Sequence, residues 1–110
     1  MLKTPPSAPV LQRFRAAVAQ TYGARLERMV LFGSRARGDA PPDSDYDVAV
    51  FLRGINDLNA RWTEMDRLAD ISTALLEETG AFVHAMAYRA GSYNERTPLM
   101  HEIRAEGIDL

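Results

Sequence analysis

The chain has 110 residues, a length typical of one folded domain with a single core and too short for two. Its net charge is only −2 and its cationic residues are dispersed, which argues against an extensive nucleic-acid surface. It has no cysteine for disulfides or thiolate metal sites, no signal-peptide pattern and no apolar run long enough to cross a membrane, so we expect a cytoplasmic protein.

The first third of the sequence predicts a helix and a buried strand. Residues 1–9 include three prolines and are expected to form a flexible leader, with residues 10–110 as the single domain. Apolar side chains at helical spacing predict a helix over 10–22 that ends at a glycine. A continuous apolar run predicts a strand over 28–32, and Gly33 then begins a turn that continues into a short helical segment.

The rest of the sequence alternates between strands and helices. A proline-bearing loop precedes a strand over 45–52, and an amphipathic helix follows over 59–78 with Trp62 on its buried face. A third strand is predicted over 82–88 and a last helix over 98–106. The predicted order is α-β-α-β-α-β-α, which indicates an α/β fold with a small mixed β-sheet covered by helices.

Two carboxylates stand at the head of the second predicted strand. Asp45 and Asp47 are separated by one residue, so in a strand they project from the same face roughly 6.5 to 7 Å apart. Mg²⁺ prefers oxygen ligands and shares them with substrate phosphates, and two such ions can orient a hydroxyl for in-line attack at phosphorus. The pair therefore predicts a metal site. The alternative is that both acids are simply solvated at an exposed strand start.

The turn after the first predicted strand is a candidate phosphate site. Gly33 permits close approach of the backbone to a ligand, and Ser34 adds a hydroxyl donor beside N–H groups that attract anions at the start of a helix. Arg35 and Arg37 are candidates to balance the charge of a triphosphate. The alternative for this segment is an ordinary turn followed by solvated arginines.

Together these elements resemble the signature of the minimal nucleotidyltransferases in the DNA polymerase β superfamily. The matching residues are Gly33, Ser34, Ala36, Arg37, Gly38, Ser44, Asp45 and Asp47. The resemblance implies a polymerase β-like nucleotidyltransferase fold in which Gly33, Ser34 and Arg37 bind the nucleotide. It also implies that Asp45 and Asp47 are catalytic and bind Mg²⁺, two ions when nucleotide is present. The implied reaction transfers a nucleoside monophosphate, usually AMP from ATP, to a hydroxyl.

The third predicted strand departs from the pattern of that superfamily. Active members usually add a third carboxylate from a later strand, whereas residues 82–88 contain no acid. His84 is the candidate substitute, as a metal ligand or as a proton acceptor, although magnesium prefers oxygen. Alternatively, His84 bonds to a neighbour or faces solvent. The sequence thus supports nucleotide binding better than turnover.

Small domains of this type also resemble the antitoxins of two-gene pairs whose partner is an all-helical HEPN ribonuclease toxin. The resemblance implies that the chain neutralises a HEPN-type protein by attaching AMP to one of its hydroxyls, with tyrosine as the expected acceptor. A catalytically silent module that binds nucleotide or partner is the alternative, favoured by the absent third acid. A small-molecule nucleotidyltransferase that resembles the antibiotic-modifying enzymes is a third hypothesis, weakened because those enzymes usually carry a further domain for the acceptor.

Overall fold

The order of helices and strands follows the sequence prediction, with one short strand added at the end. The computed structural model describes residues 8–110, and the predicted leader over 1–9 lies outside this range except for its last two residues. The elements are α1 Pro9–Tyr22, β1 Leu26–Phe32, α2 Ser34–Arg37, β2 Tyr46–Leu52, α3 Leu58–Thr79, β3 Val83–Arg89, α4 Pro98–Glu106 and β4 Ile108–Asp109. Single 3₁₀ turns at Gly23–Arg25 and Ser92–Asn94 precede β1 and α4.

The four strands form one mixed sheet in the order β3-β2-β1-β4. Strand β1 is antiparallel to both β2 and β4, while β2 and β3 are parallel and are connected through α3. This arrangement confirms the predicted α/β fold with a small mixed sheet. Among the described helices, none has the length and apolar character needed to span a bilayer.

The strand directions bring the end of β1 together with the starts of β2 and β3. Phe32 pairs with Asp47 across β1 and β2, and Asp47 pairs with His84 across β2 and β3. We call this side of the sheet the Asp47 end. At the opposite side, the Leu52 end, β2 and β3 finish at Leu52 and Arg89. Residues from three separate strands are therefore neighbours at the Asp47 end.

Helices pack on both faces of the sheet. Helices α1 and α3 cover one face, and α4 covers part of the other. The α4 face buries Val30, Ala49, Phe51, Met100 and Ile103. Because side chains alternate along a strand, Asp47 projects from the same face as Ala49 and Phe51. The candidate site therefore lies on the α4 side of the sheet, beyond the area that α4 covers.

Helix α3 buries part of the stripe that its apolar residues predict, together with one charged residue. Its buried residues are Glu64, Leu68, Ser72 and Leu75. The prediction that Trp62 belongs to the core is wrong, because its side chain is 57% exposed. Leu68 lies six positions after Trp62, which places the two side chains about 120° apart around the helix. The remaining buried residue of α3 is Glu64, a charged residue that the spacing of apolar residues does not identify.

The buried carboxylate of Glu64 is held by groups from three elements. Arg25 Nη2 lies 2.6 Å from Glu64 Oε2, and Arg67 Nη1 lies 3.5 Å from Oε1. The hydroxyl of Tyr22 donates to Oε1 at 3.3 Å. Burial and the nearby charge of Glu64 raise the pKa of Tyr22 to about 12. This cluster connects the end of α1 to the middle of α3.

The raised pKa of Tyr22 predicts a loss of stability in alkali. The folded protein keeps the phenol protonated, so this stabilisation is complete below the ordinary pKa of 10.0 and is lost as the pH rises towards 12. We expect the free energy of unfolding to fall more steeply above pH 10 in wild type than in Tyr22→Phe. Urea unfolding followed from pH 9 to 11.5 measures this difference. Parallel pH profiles for the two proteins would contradict the assignment.

Candidate active site

The turn at Gly33 brings the backbone against the carboxylate of Asp47. Gly33 follows the last residue of β1 and has a φ of +73°, a conformation that residues with a side chain rarely adopt. A Cβ atom added at Gly33 would lie 2.8 Å from Asp47 Oδ2. The backbone angle therefore favours glycine, and a side chain at this position would also displace the carboxylate of Asp47.

Ser34 and the two aspartates are placed around this turn by neighbouring elements. Ser34 begins α2 directly after Gly33, and the N–H groups of Ala36 and Arg37 donate to the Gly33 carbonyl at 3.1 Å. Asp45 is exposed immediately before β2, and the side chain of Asp47 is 37% exposed within it. The sequence-predicted phosphate turn and carboxylate pair thus meet at the Asp47 end of the sheet.

His84 lies next to Asp47 on the neighbouring strand. Its Nδ1 is 3.4 Å from Asp47 Oδ1, and its side chain is 55% exposed. The strand register thus places His84 directly beside Asp47, and its role as a substitute for the third carboxylate stays a prediction. The contact is long for a hydrogen bond, so His84 leaves Asp47 available to other ligands.

Arg35 has a role that the sequence did not reveal. Its Nε and Nη2 donate to the Ser44 carbonyl at 3.1 and 2.8 Å, and Nη2 also donates to the Pro42 carbonyl at 2.8 Å. Its guanidinium lies 4.4 Å from the centre of the Tyr46 ring. These contacts hold the proline-bearing loop against α2, and thereby fix the backbone immediately before Asp45. Carbonyl acceptors carry no sequence signal, which is why this function was missed.

Removal of the Arg35 side chain should loosen that loop. In Arg35→Ala we expect the amide of Ser44, which donates to the Pro41 carbonyl, to exchange its hydrogen about tenfold faster because the loop loses its side-chain anchors. Hydrogen exchange followed by NMR measures the effect. Arg37→Ala is the matched control, since Arg37 makes no contact with this loop's carbonyls. Equal exchange rates in the two variants would contradict the anchoring role.

Arg37 contacts two carboxylates that do not belong to the aspartate pair. Its Nε lies 3.1 Å from Asp39 Oδ2 and its Nη1 lies 3.0 Å from Glu106 Oε2. These hydrogen bonds to two carboxylates raise the pKa of the Arg37 guanidinium. The residue connects α2 to the end of α4. Its predicted contact with nucleotide therefore stays a prediction, whereas its contacts to Asp39 and Glu106 are present in the fold.

The donor set at the Asp47 end suits magnesium. Asp45 and Asp47 offer carboxylate oxygens, and Mg²⁺ commonly takes one or two carboxylates together with substrate phosphates. Within residues 8–110, no group of three or more His, Cys, Asp or Glu side chains forms a site that holds a metal without such help. A cavity of ≈ 200 Å³ beside Asp45 is also lined by Arg35, Leu76 and Phe82. The carboxylates therefore fit a metal ion that arrives with a phosphate ligand.

Comparison with known proteins relates most of the sequence to one family. Residues 16–110 match the family described as "Polymerase beta, Nucleotidyltransferase". The chain is 28% identical over 86 residues to "Putative protein adenylyltransferase MJ0604" of Methanocaldococcus jannaschii. That match covers 78% of this chain and 77% of the relative.

Solved structures share the fold at low sequence identity. A chain from the crystal structure of a toxin-antitoxin with AMP-PNP superposes with a TM-score of 0.58 and 21% identity, covering 87% of this chain and 68% of that one. Another, from the tri-AMPylated HEPN toxin of Shewanella oneidensis in complex with its MNT antitoxin, gives a TM-score of 0.51 and 18% identity. The second match covers 91% of this chain and 70% of that chain.

Proposed function

The chain belongs to the polymerase β nucleotidyltransferase family, and we propose that it is a Mg²⁺-dependent adenylyltransferase acting as an antitoxin. In this proposal it transfers AMP from ATP to a hydroxyl, with tyrosine as the expected acceptor, on a HEPN-type partner protein. The observation that carries the proposal is the closeness of the Gly33 turn to Asp47, whose Oδ2 would lie 2.8 Å from a Cβ added at Gly33. A glycine turn and a carboxylate this close together are suited to hold a nucleoside triphosphate and its metal ion together.

Each residue at the Asp47 end has an assigned role in this reaction. Gly33 and Ser34 bind the β- and γ-phosphates through N–H and hydroxyl donors, as donors at the start of a helix favour anions. Asp45 and Asp47 hold Mg²⁺, which supplies neutralisation of the phosphate charge when bound. The relative of the chain in Methanocaldococcus jannaschii, named for protein adenylyltransfer, supports the choice of AMP and of a protein acceptor.

The proposed transfer is a single displacement at phosphorus. The acceptor oxygen attacks the α-phosphorus of ATP and forms a new oxygen–phosphorus bond. The bond from the α-phosphorus to the bridging oxygen breaks, and pyrophosphate leaves. The proton of the acceptor hydroxyl passes to the exposed imidazole of His84, which lies beside Asp47.

The test is transfer of label from ATP. Purified chain is incubated with α-labelled ATP, Mg²⁺ and the protein encoded by the neighbouring gene. We expect label on the partner protein with wild type and none with Asp45→Asn or Asp47→Asn. Glu102→Gln is the control, because Glu102 is an exposed acid on a different element, α4. Magnesium-independent transfer, or full transfer by Asp47→Asn, would contradict the proposal.

A silent module is the second candidate, and the composition of β3 favours it. The strand reads VHAMAYR and has no carboxylate to complete the aspartate pair. In this case wild type binds ATP or partner but transfers nothing. His84→Asp separates the candidates, because it restores a carboxylate in register with Asp47. Transfer by wild type supports the enzyme, whereas transfer by His84→Asp alone supports a module that has lost its activity.

A further inference from the structure

One side of helix α3 exposes large apolar side chains. Leu58 is 65% exposed, Trp62 57% and Leu76 40%, in a protein whose other large apolar residues are mostly buried. Ala69 is also exposed, and Met65 is half-buried. We call these five residues the α3 seam. Exposed apolar side chains that share one stripe, unlike scattered single ones, indicate an interaction surface.

The spacing of the seam is that of a helix packed against another helix. Steps of four and three residues separate Leu58, Trp62, Met65 and Ala69, and Leu76 follows seven residues after Ala69. This repeat averages 3.5 residues, the period with which one helix meets a neighbouring helix along its length. Ser72, which lies between Ala69 and Leu76 in this repeat, is buried and does not belong to the seam. The occupant indicated by the spacing is therefore a second helix.

The seam runs along the open edge of the sheet and reaches the candidate active site. Met65 Sδ accepts the N–H of Ala87 at 3.1 Å and Arg61 Nε donates to the Ala87 carbonyl at 2.9 Å, so α3 borders the edge strand β3. At the Leu52 end, Leu58 lines a cavity of ≈ 310 Å³. At the other end, Leu76 lines the cavity that also contains Asp45. A helix on the seam would thus end beside Asp45.

The charges that flank the seam indicate which charges a partner helix should carry. Asp66, Asp70 and Glu77 form an exposed row on its outer flank, which we call the acidic row. None of the three makes an ion pair with any residue between 8 and 110. A helix with lysine or arginine along one flank complements this row. If a second copy of the chain packed antiparallel on the same seam, the two acidic rows would lie side by side. Repulsion between their negative charges makes that dimer unfavourable.

From these features we infer that the α3 seam docks a helix of the acceptor protein, one with apolar residues at heptad spacing and a basic flank. Docking holds the acceptor protein along α3 and brings its hydroxyl to the cavity that contains Asp45. The identity of the occupant as the acceptor rests on the proposed function. The docking itself requires no transfer of AMP, so the two can be tested separately.

The only tryptophan of the chain reports directly on the seam. Trp62 is the single tryptophan in the sequence, so protein labelled with 5-fluorotryptophan gives one fluorine resonance. We expect this resonance to shift when the protein encoded by the neighbouring gene is added, and to stay unchanged with Mg²⁺ and ATP alone or with increasing concentration of the chain itself. A shift on self-dilution would assign the seam to a second copy, and a shift with ATP would assign it to nucleotide. Either result overturns the inference.

Substitutions measure how much the seam contributes. Trp62→Ser should weaken partner binding about 30-fold, as expected for a tryptophan at the centre of an interface. Replacing the whole acidic row by lysine should weaken binding and reverse its dependence on salt. The controls are Leu99→Ser and Glu102→Lys, which change an exposed leucine and an exposed acid on α4. All variants should bind Mg²⁺ and ATP as wild type does.

Kinetics distinguish failure of this inference from failure of the proposed function. If the docking inference and the proposed function both hold, Trp62→Ser raises the KM for the partner and leaves kcat unchanged. If wild type binds the partner through the seam but transfers no label, the inference stands and the proposed function fails. If label is transferred but Trp62→Ser and the lysine variant behave like their controls, the inference fails and the proposed function stands. If the partner neither binds nor accepts label, both fail.

Discussion

Replacement of Gly33 by alanine is expected to reduce AMP transfer at least about 100-fold while leaving the protein folded. The new Cβ would lie 2.8 Å from Asp47 Oδ2, so the carboxylate must move. Displacement of a positioned group by about 1 Å can cost about 100-fold in rate. The positive φ of Gly33 adds a destabilisation of about 1 to 2 kcal/mol. Label transfer and urea unfolding measure the two effects separately.

Gly38→Ala is the matched control for this substitution. Gly38 lies at the other end of α2 with a φ of +85°, and a Cβ added there would meet nothing within 4 Å. We expect Gly38→Ala to lose about 1 to 2 kcal/mol of stability and to retain transfer activity. A similar loss of activity in both variants would mean that backbone strain in α2, and not displacement of Asp47, limits the reaction.

Gly107→Ala is expected to destabilise the protein by about 3 kcal/mol, the largest effect on folding that we predict for a single added methyl group. Gly107 follows α4 with an ordinary φ of −69°, so its requirement for glycine is one of space. An added Cβ would lie 2.3 Å from the Ile103 carbonyl oxygen and 2.4 Å from Val30 Cγ1. Neither atom can move easily, because the first belongs to the backbone of α4 and the second to a buried side chain of the sheet.

Thermal unfolding of Gly107→Ala and Gly80→Ala provides the comparison. Gly80 ends α3 with a φ of +78° and has nothing within 4 Å of an added Cβ, so its replacement should cost only about 1 to 2 kcal/mol. We expect the Tm of Gly107→Ala to fall by roughly 10 to 20 °C, and that of Gly80→Ala by clearly less. The reverse order would contradict the packing argument at the junction of α4 and β4.

The elements of the fold could be predicted because their patterns are local. Apolar runs bounded by glycine and proline marked three strands, and the last helix was predicted with the bounds that the structure has, Pro98–Glu106. Strand β4 was not predicted, since two residues are too few to show a period. The orientation of α3 depends on Glu64, whose burial requires Arg25 and Tyr22 from elsewhere in the chain. No pattern within the helix contains that information.

The composition of the candidate site was predictable to a similar extent. Alternation along β2 and the glycine turn were enough to propose Asp45, Asp47, Gly33 and Ser34 as one site. The closeness of Gly33 to Asp47, and the register that brings His84 to Asp47, depend on strand pairing between distant segments. The contacts of Arg35 were unpredictable for another reason. Its acceptors are backbone carbonyls, which every residue has.

The candidate site is complete only when β3 has paired with β2. Gly33 and Asp47 precede α3 in the sequence, whereas His84 follows it. During synthesis, the first half of the domain leaves the ribosome without the strand that borders Asp47 on its other side. A ligand that binds only the finished site stabilises finished molecules by mass action and does nothing for partly folded chains. Nucleotide in the cell would then protect the completed domain selectively against proteolysis.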